Sequence, residues 1–119
     1  MNNTKDIKKL TKIIPNLMLD KKAIDISIID VKKLTSLTDF FILCTSESTP
    51  QTKAIMDHIY KELRQQGWRP NNLEDTKSLE WVVMDYFGIV IHIFNKESRD
   101  YYQFERLWGD AKITHINEE

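Results

Sequence analysis

Asp85 and His92 stand seven residues apart in EWVVMDYFGIVIHIF, residues 80–94, and a carboxylate beside an imidazole is the minimal equipment for general acid–base work. The same stretch supports a different chemistry. Trp81, Asp85 and Tyr86 could form the face of a surface that grips another macromolecule, with aromatic area for affinity and an acid for orientation. A nucleophilic route would need Cys44 as an accessible thiolate near His58 or His92. Cys44 ends the apolar run FFILC, where a buried structural cysteine is the commoner case. A metal site would need three or four ligands, yet His58, His92 and His115 stand apart, without H-x-x-H, H-E-x-x-H or C-x-x-C spacing. TSESTPQTK, residues 45–53, lies where a phosphate loop could sit, between a strand and a helix, but it contains no glycine. No cofactor is therefore expected.

Whatever these residues do, one domain spanning residues 1–119 must position them. The 119-residue chain is 41% hydrophobic, enough for a single packed core. No apolar run approaches a membrane span, and MNNTKDIKKL has neither a signal-peptide h-region nor a transit-peptide composition. With Cys44 the lone cysteine, the expectation is a cytoplasmic protein in a reducing compartment, with no membrane partner. Net charge is −1 but uneven: residues 1–33 carry eight Lys against four Asp, leaving −5 for the remainder. An acidic body suits a basic partner better than a phosphate backbone, and no specific nucleic-acid sequence is expected as a partner.

Residues 1–22 read as a lysine-rich helical lead-in, with Leu10, Ile13, Ile14, Leu17 and Met18 on one stripe; Pro15 predicts one short helix or two pieces. Alternation in IDISIIDV from Ile24 predicts a half-buried strand, and FFILC a central strand covered on both faces. Pro50 opens a secure helix whose stripe is Ala54, Ile55, Ile59 and Leu63, capped by Ser48 or Thr49 and stopped at Gly67. Residues 68–80 read as an exposed acidic loop, and 113–119 as a polar tail. Two strands follow that loop, and then a helix with Tyr101, Phe104, Leu107 and Trp108 on one side. The order predicts an α/β mixed sheet flanked by helices, in which Phe40 to Cys44, the long helix and Trp81 to Tyr86 could form one right-handed crossover.

If Phe87 and Gly88 are a two-residue hairpin loop, Asp85 faces Val90 and Val83 faces His92. Trp81, Val83, Asp85, Val90, His92 and Phe94 then share one sheet face, and Val82, Met84, Tyr86, Ile89, Ile91 and Ile93 fill the other. A longer loop with a bulge shifts the facing set by one and sends His92 to the opposite face from Asp85. The sequence leaves both registers open. It also leaves open whether His92 orients a partner or is a satisfied, half-buried residue.

LTSLTDFFILCTSESTPQTKAI, followed by EWVVMDYFGIVIHIFNKESRDYYQFERLWGDA, closely resembles the ribosomal silencing factor family, the RsfS or Iojap-related proteins. Its specific elements are LTSLTDFF at Leu34 to Phe41, WVVMDY at Trp81 to Tyr86, VIHIF at Val90 to Phe94 and RDYYxxERLW at Arg99 to Trp108. The resemblance implies a nucleotidyltransferase-like fold without the catalytic motifs, since no Gly-Ser element is present and Phe87 stands where a second carboxylate would. It implies binding to the large ribosomal subunit through ribosomal protein uL14, a block on small-subunit joining, repression of translation, and dimerisation of the free protein. The partner face it implies is Glu80, Trp81, Asp85 and Tyr86 with Tyr101 and Tyr102, and His92 as an orienting residue. The chain departs from the family pattern at Phe87-Gly88, which replaces Gly followed by an acid. Two other functions remain on the sequence alone: a Mg²⁺-dependent nucleotidyltransferase-like enzyme, and an RNA-contacting large-subunit assembly factor led by Lys5, Lys8, Lys9 and Lys12.

Overall fold

In the computed structural model, which describes residues 4–76 and 78–116, the apolar stripe of the N-terminal segment forms α1 (Thr4–Asp20). Ile7, Leu10, Ile14, Leu17 and Met18 on that stripe are buried. Of the two readings that Pro15 leaves open, the structure takes the single helix: α1 runs for 17 residues with the proline inside it. Proline removes a single intrahelical hydrogen bond, and burial of the stripe on both sides of it holds the two halves in register. The lysine-rich helical segment thus also supplies a layer of the core.

The chain continues through β1 (Ile24–Asp30), β2 (Phe40–Ser46), α2 (Thr49–Gln65), β3 (Asn72–Thr76), β4 (Trp81–Tyr86), β5 (Ile89–Asn95), α3 (Lys96–Tyr102), α4 (Phe104–Leu107) and β6 (Lys112–His115). The Ser48 hydroxyl caps α2 by accepting from the Gln51 N–H at 3.2 Å, with Pro50 in the first turn. At the other end Gly67 adopts φ +91°, and the Trp68 N–H returns to the Leu63 carbonyl at 2.9 Å.

The six strands lie in the order β3-β4-β5-β2-β1-β6, all neighbours antiparallel except β5 and β2. The expected crossover from β2 through α2 therefore lands on β5, one strand beyond β4. Residue pattern explains the choice. Ile91, His92, Ile93 and Phe94 are buried in succession, as a strand flanked on both edges requires, whereas β4 alternates half-buried and buried residues. Two further expectations change. Residues 72–76 of the acidic loop are an edge strand, exposed at Asn72 to Asp75 and paired with β4. The start of the polar tail is β6, paired with β1; residues 117–119 lie outside the described residues.

Two cores sit on opposite sheet faces. One, under α1 and α2, gathers Leu10, Ile14, Ile42, Ile55, Ile59, Met84 and Ile91. The other is smaller and largely aromatic: Ile29, Val31, Phe41, Leu43 and Phe94, with Trp81, Tyr102, Phe104 and Trp108 packed against it. The last helix breaks at Gln103, which adopts a left-handed φ of 47°. Tyr101, Phe104, Leu107 and Trp108 consequently do not share a side: Phe104 and Trp108 turn inward, while Tyr101 and Leu107 are 80% and 75% exposed.

Gly88 ties these layers together. It has φ +90°, and a Cβ there would stand 2.4 Å from the Ile7 Cδ1 of α1. Gly67 shares the positive φ but has open space around its Cβ position. Gly88→Ala should therefore cost about 2–3 kcal/mol and Gly67→Ala only about 1 kcal/mol, as read from urea unfolding midpoints.

Candidate functional site

The Phe87-Gly88 turn is a two-residue loop, with Tyr86 opposite Ile89, Asp85 opposite Val90 and Val83 opposite His92. Phe87 keeps a negative φ and the glycine alone takes the positive one, so the turn asks no left-handed conformation of the phenylalanine. The hairpin thus sorts its side chains as the shorter register requires. Val82, Met84, Tyr86, Ile89, Ile91 and Ile93 are all 0% exposed beneath α1 and α2. On the other face Trp81, Val83, Asp85 and Val90 are only half-buried. The difference comes from cover. α3 packs over β5 and β2, while Val83 and Asp85 of β4 stay half-buried and Asn72 to Asp75 of β3 exposed. Cross-strand pairing adds Asn72, opposite Asp85, and Glu74, opposite Val83, to this uncovered face.

His92 does not belong to that open area. It is 5% exposed, with its ring centroid 4.4 Å from Phe104 and 5.5 Å from Phe41. Trp81 Nε1 donates to His92 Nδ1 at 2.9 Å, so the ring is the neutral tautomer with its proton on Nε2. Burial pushes the imidazole down to about 3, and Nε2 has no hydrogen-bond partner among the described residues. His92 is accordingly neither a proton shuttle for Asp85 nor an orienting group at the surface. It is the acceptor that fixes the Trp81 indole.

Trp81 then anchors an aromatic cluster at the rim of the sheet. Its ring lies 4.8 Å from Tyr102 and 5.0 Å from Phe94, and Tyr101 stands edge-on to Tyr102 at 5.0 Å. Glu80, Asn95, Glu97, Ser98, Tyr101 and Tyr102 line a shallow recess beside it. Asn95 places α3 there: its side chain accepts from the Ser98 N–H at 2.8 Å, and its own N–H donates to the Glu80 carbonyl at 2.9 Å. Glu80, Trp81, Tyr101 and Tyr102 come together as expected from the sequence, and Asp85 lies farther along the same face. Tyr86 does not join them. It is wholly buried among the α1 and α2 side chains, one residue out of phase with Asp85, so a surface role is ruled out by the period of the strand.

Partial desolvation raises the Asp85 carboxyl above its ordinary value. A cation approaching this face would reverse that shift, so Asp85 favours a positively charged neighbour. No local pattern marks Glu74 and Asn72 as part of the face, because only strand pairing brings residues 72–76 beside β4. The nucleophile candidate behaves as a core residue: Cys44 is buried, with its thiol pushed up to about 12. His58 Nε2 meets Asp20 Oδ2 at 2.9 Å and links α2 to the end of α1. Among the described residues no group of three His, Cys, Asp or Glu side chains could hold a metal ion, and no helix is long and apolar enough to cross a membrane.

Fold and site together define a small mixed-sheet α/β protein with an acidic, aromatic-rimmed face. Residues 4–119 match the family model described as "Ribosomal silencing factor during starvation". The chain is 35% identical to the ribosomal silencing factor RsfS of Halalkalibacterium halodurans, covering 91% of this chain and 92% of that one. It is 32% identical to RsfS of Bacillus subtilis, covering 92% and 93%. A crystal structure from Chromobacterium violaceum superposes with a TM-score of 0.83 at 33% identity, covering 93% of this chain and 92% of the other. This chain belongs to the RsfS family of ribosomal silencing factors.

The buried imidazole makes stability depend on acid. His92 has a folded pKa of about 3 against an ordinary 6.5, so the unfolded chain binds the extra proton between those values. Stability should fall as pH drops below 6.5, with His92 contributing about 1 kcal/mol per pH unit. Urea titrations at pH 7.5, 5.5 and 4.5 should show a steeper decline for the wild type than for His92→Phe.

Proposed function

We propose that this protein silences translation by binding ribosomal protein uL14 on the large ribosomal subunit and occluding the surface that the small subunit must meet. The observation that carries this reading is the unequal cover of the sheet: one face is sealed by two long helices, while β3 and β4 present Glu74, Val83 and Asp85 beside the Trp81, Tyr101 and Tyr102 rim. Half-buried apolar groups with a desolvated carboxylate suit a basic protein partner. Opposite charges speed the encounter, and the aromatic rim lengthens residence. Membership of a family of ribosomal silencing factors supports the same partner class. The lysines Lys8, Lys9 and Lys12 sit on α1, in the layer behind the opposite sheet face, which favours protein contact over RNA contact at the acidic face.

No bond is made or broken in this mechanism. Occupancy is the activity, so it scales with residence on the subunit, and the protein acts in the cytoplasm without a cofactor. Homodimerisation of the free protein would compete for the same face if that face is the dimer contact.

In sedimentation profiles of purified subunits, the wild type should reduce the assembled fraction. Tyr101→Ala and Asp85→Lys, both at solvent-accessible positions, should each weaken large-subunit binding about tenfold or more with the fold intact. Trp81→Ala should weaken it further, because it also opens the aromatic core. Full silencing by well-folded Tyr101→Ala and Asp85→Lys would exclude this face. Saturable nucleotide binding with Mg²⁺, lost in Asp85→Ala, would replace the reading with an enzymatic one.

A further inference from the structure

We infer that Arg99 is a positioning residue for this surface, locking α3 and α4 in the orientation that presents Tyr101 and turns Tyr102 onto Trp81. The inference rests on the binding reading above. α3 has seven residues and α4 four, each too short to hold a helical conformation by itself. They are separated by Gln103 at φ 47° and ψ 51°, a conformation that a non-glycine residue keeps only when its surroundings enforce it. Arg99 on α3 and Glu105 on α4 join across that break: Nη2 meets Oε2 at 2.5 Å and Nε donates to Oε1 at 3.4 Å.

The same guanidinium reaches the sheet. Nη1 donates to Thr45 Oγ1 of β2 at 2.9 Å, and Nη2 to Ser27 Oγ of β1 at 3.1 Å. Nη1 also donates to the Asp25 carbonyl. That carbonyl is available because β1 is irregular between Ile24 and Ser27, where Asp25 takes a positive φ of 50°. A guanidinium has five N–H donors, and here five acceptors answer them: the Asp25 carbonyl, two hydroxyls and both Glu105 oxygens.

Saturation decides between two roles. Arg99 opens onto a broad groove that also takes in Lys96, Arg106, His115 and Asp100, and such a groove invites an anion-binding interpretation. An anion could engage Arg99 only by displacing bonds already made, and Glu105 already supplies the negative charge. The Arg99 side chain is 11% exposed, which removes it from direct partner contact as well. What remains is a mechanical role. Arg99 and Tyr102 are three residues apart on α3 and project from neighbouring positions of the helix, so fixing one fixes the other, while Tyr101 points away into solvent.

The test compares wild type, Arg99→Ala and Arg99→Lys for association and dissociation on immobilised large subunits over a range of salt, together with backbone amide exchange of the free proteins. Arg99→Ala should raise the dissociation rate about tenfold and leave the salt dependence of association unchanged. It should accelerate exchange in residues 96–108 but not in α1 or α2. Arg99→Lys, which keeps the charge but loses the two-pronged geometry, should recover part of the loss. An altered salt dependence would make Arg99 a direct contact, and faster exchange throughout α1 and α2 would make it a general stability residue; either overturns the inference. Wild-type binding with unchanged dissociation in Arg99→Ala overturns the clamp alone, whereas failure of the wild type to bind removes the binding reading and the positioning role with it.

Discussion

The register of the β4–β5 hairpin governs the arrangement of everything else, and it is held at Gly88. The side chain of Ile7 occupies the volume a Cβ would need, so α1 seats directly on the turn. The Gly88 carbonyl accepts from the Asp39 and Phe40 N–H groups, each at 3.1 Å, which aligns the start of β2 with the start of β5. A slip by one residue would put β5 out of phase with β4. His92 would then be driven under α1 and α2 while Trp81 and Asp85 kept the other face, and Ile91 would be left at the rim beside them. Both cores depend on one close backbone approach.

Unequal cover then separates stability from recognition. α1 and α2 seal one face with a run of fully buried aliphatic side chains. α3 and α4 roof only the middle of the other face, through Phe104, Tyr102 and Trp108 over Phe41 and Phe94. His92 is the interior support of that roof, neutral because the aromatic rings exclude water from it. Where the roof stops, at β4 and β3, the sheet keeps polar and half-buried residues. A preformed surface of this kind loses little conformational freedom on binding, which favours long residence at modest contact area.

Much of the architecture was legible in the sequence because it rests on local periodicity. The α2 stripe, its cap, the fully buried β2 and the alternation of β4 are all short-range patterns. The elements that local pattern does not settle are those whose state depends on distant partners. β3 has a loop-like sequence and becomes a strand because the open edge of β4 supplies its hydrogen bonds. α1 crosses Pro15 because the sheet holds both halves. Helical spacing grouped Tyr101 with Phe104, but the left-handed Gln103 rotates one away from the other.

For the candidate site, the sequence by itself determined the residue types on each hairpin face and the cluster of aromatics near residue 101, since strand and helix periods are properties of the chain. Its family motifs also determined the class of protein. Only the tertiary structure decided which of those residues meet solvent. His92 and Asp85 share a face by strand period, yet one is roofed and the other is not, because α3 begins at Lys96 and packs toward β2. The family resemblance implies Tyr86 at the partner face, and the pleat withdraws it into the core, as the shorter register requires. The Arg99 clamp joins residues 25, 27, 45, 99 and 105, and no local pattern relates them. Their acceptors converge only once the sheet has formed, which is why that part of the site is a property of the fold.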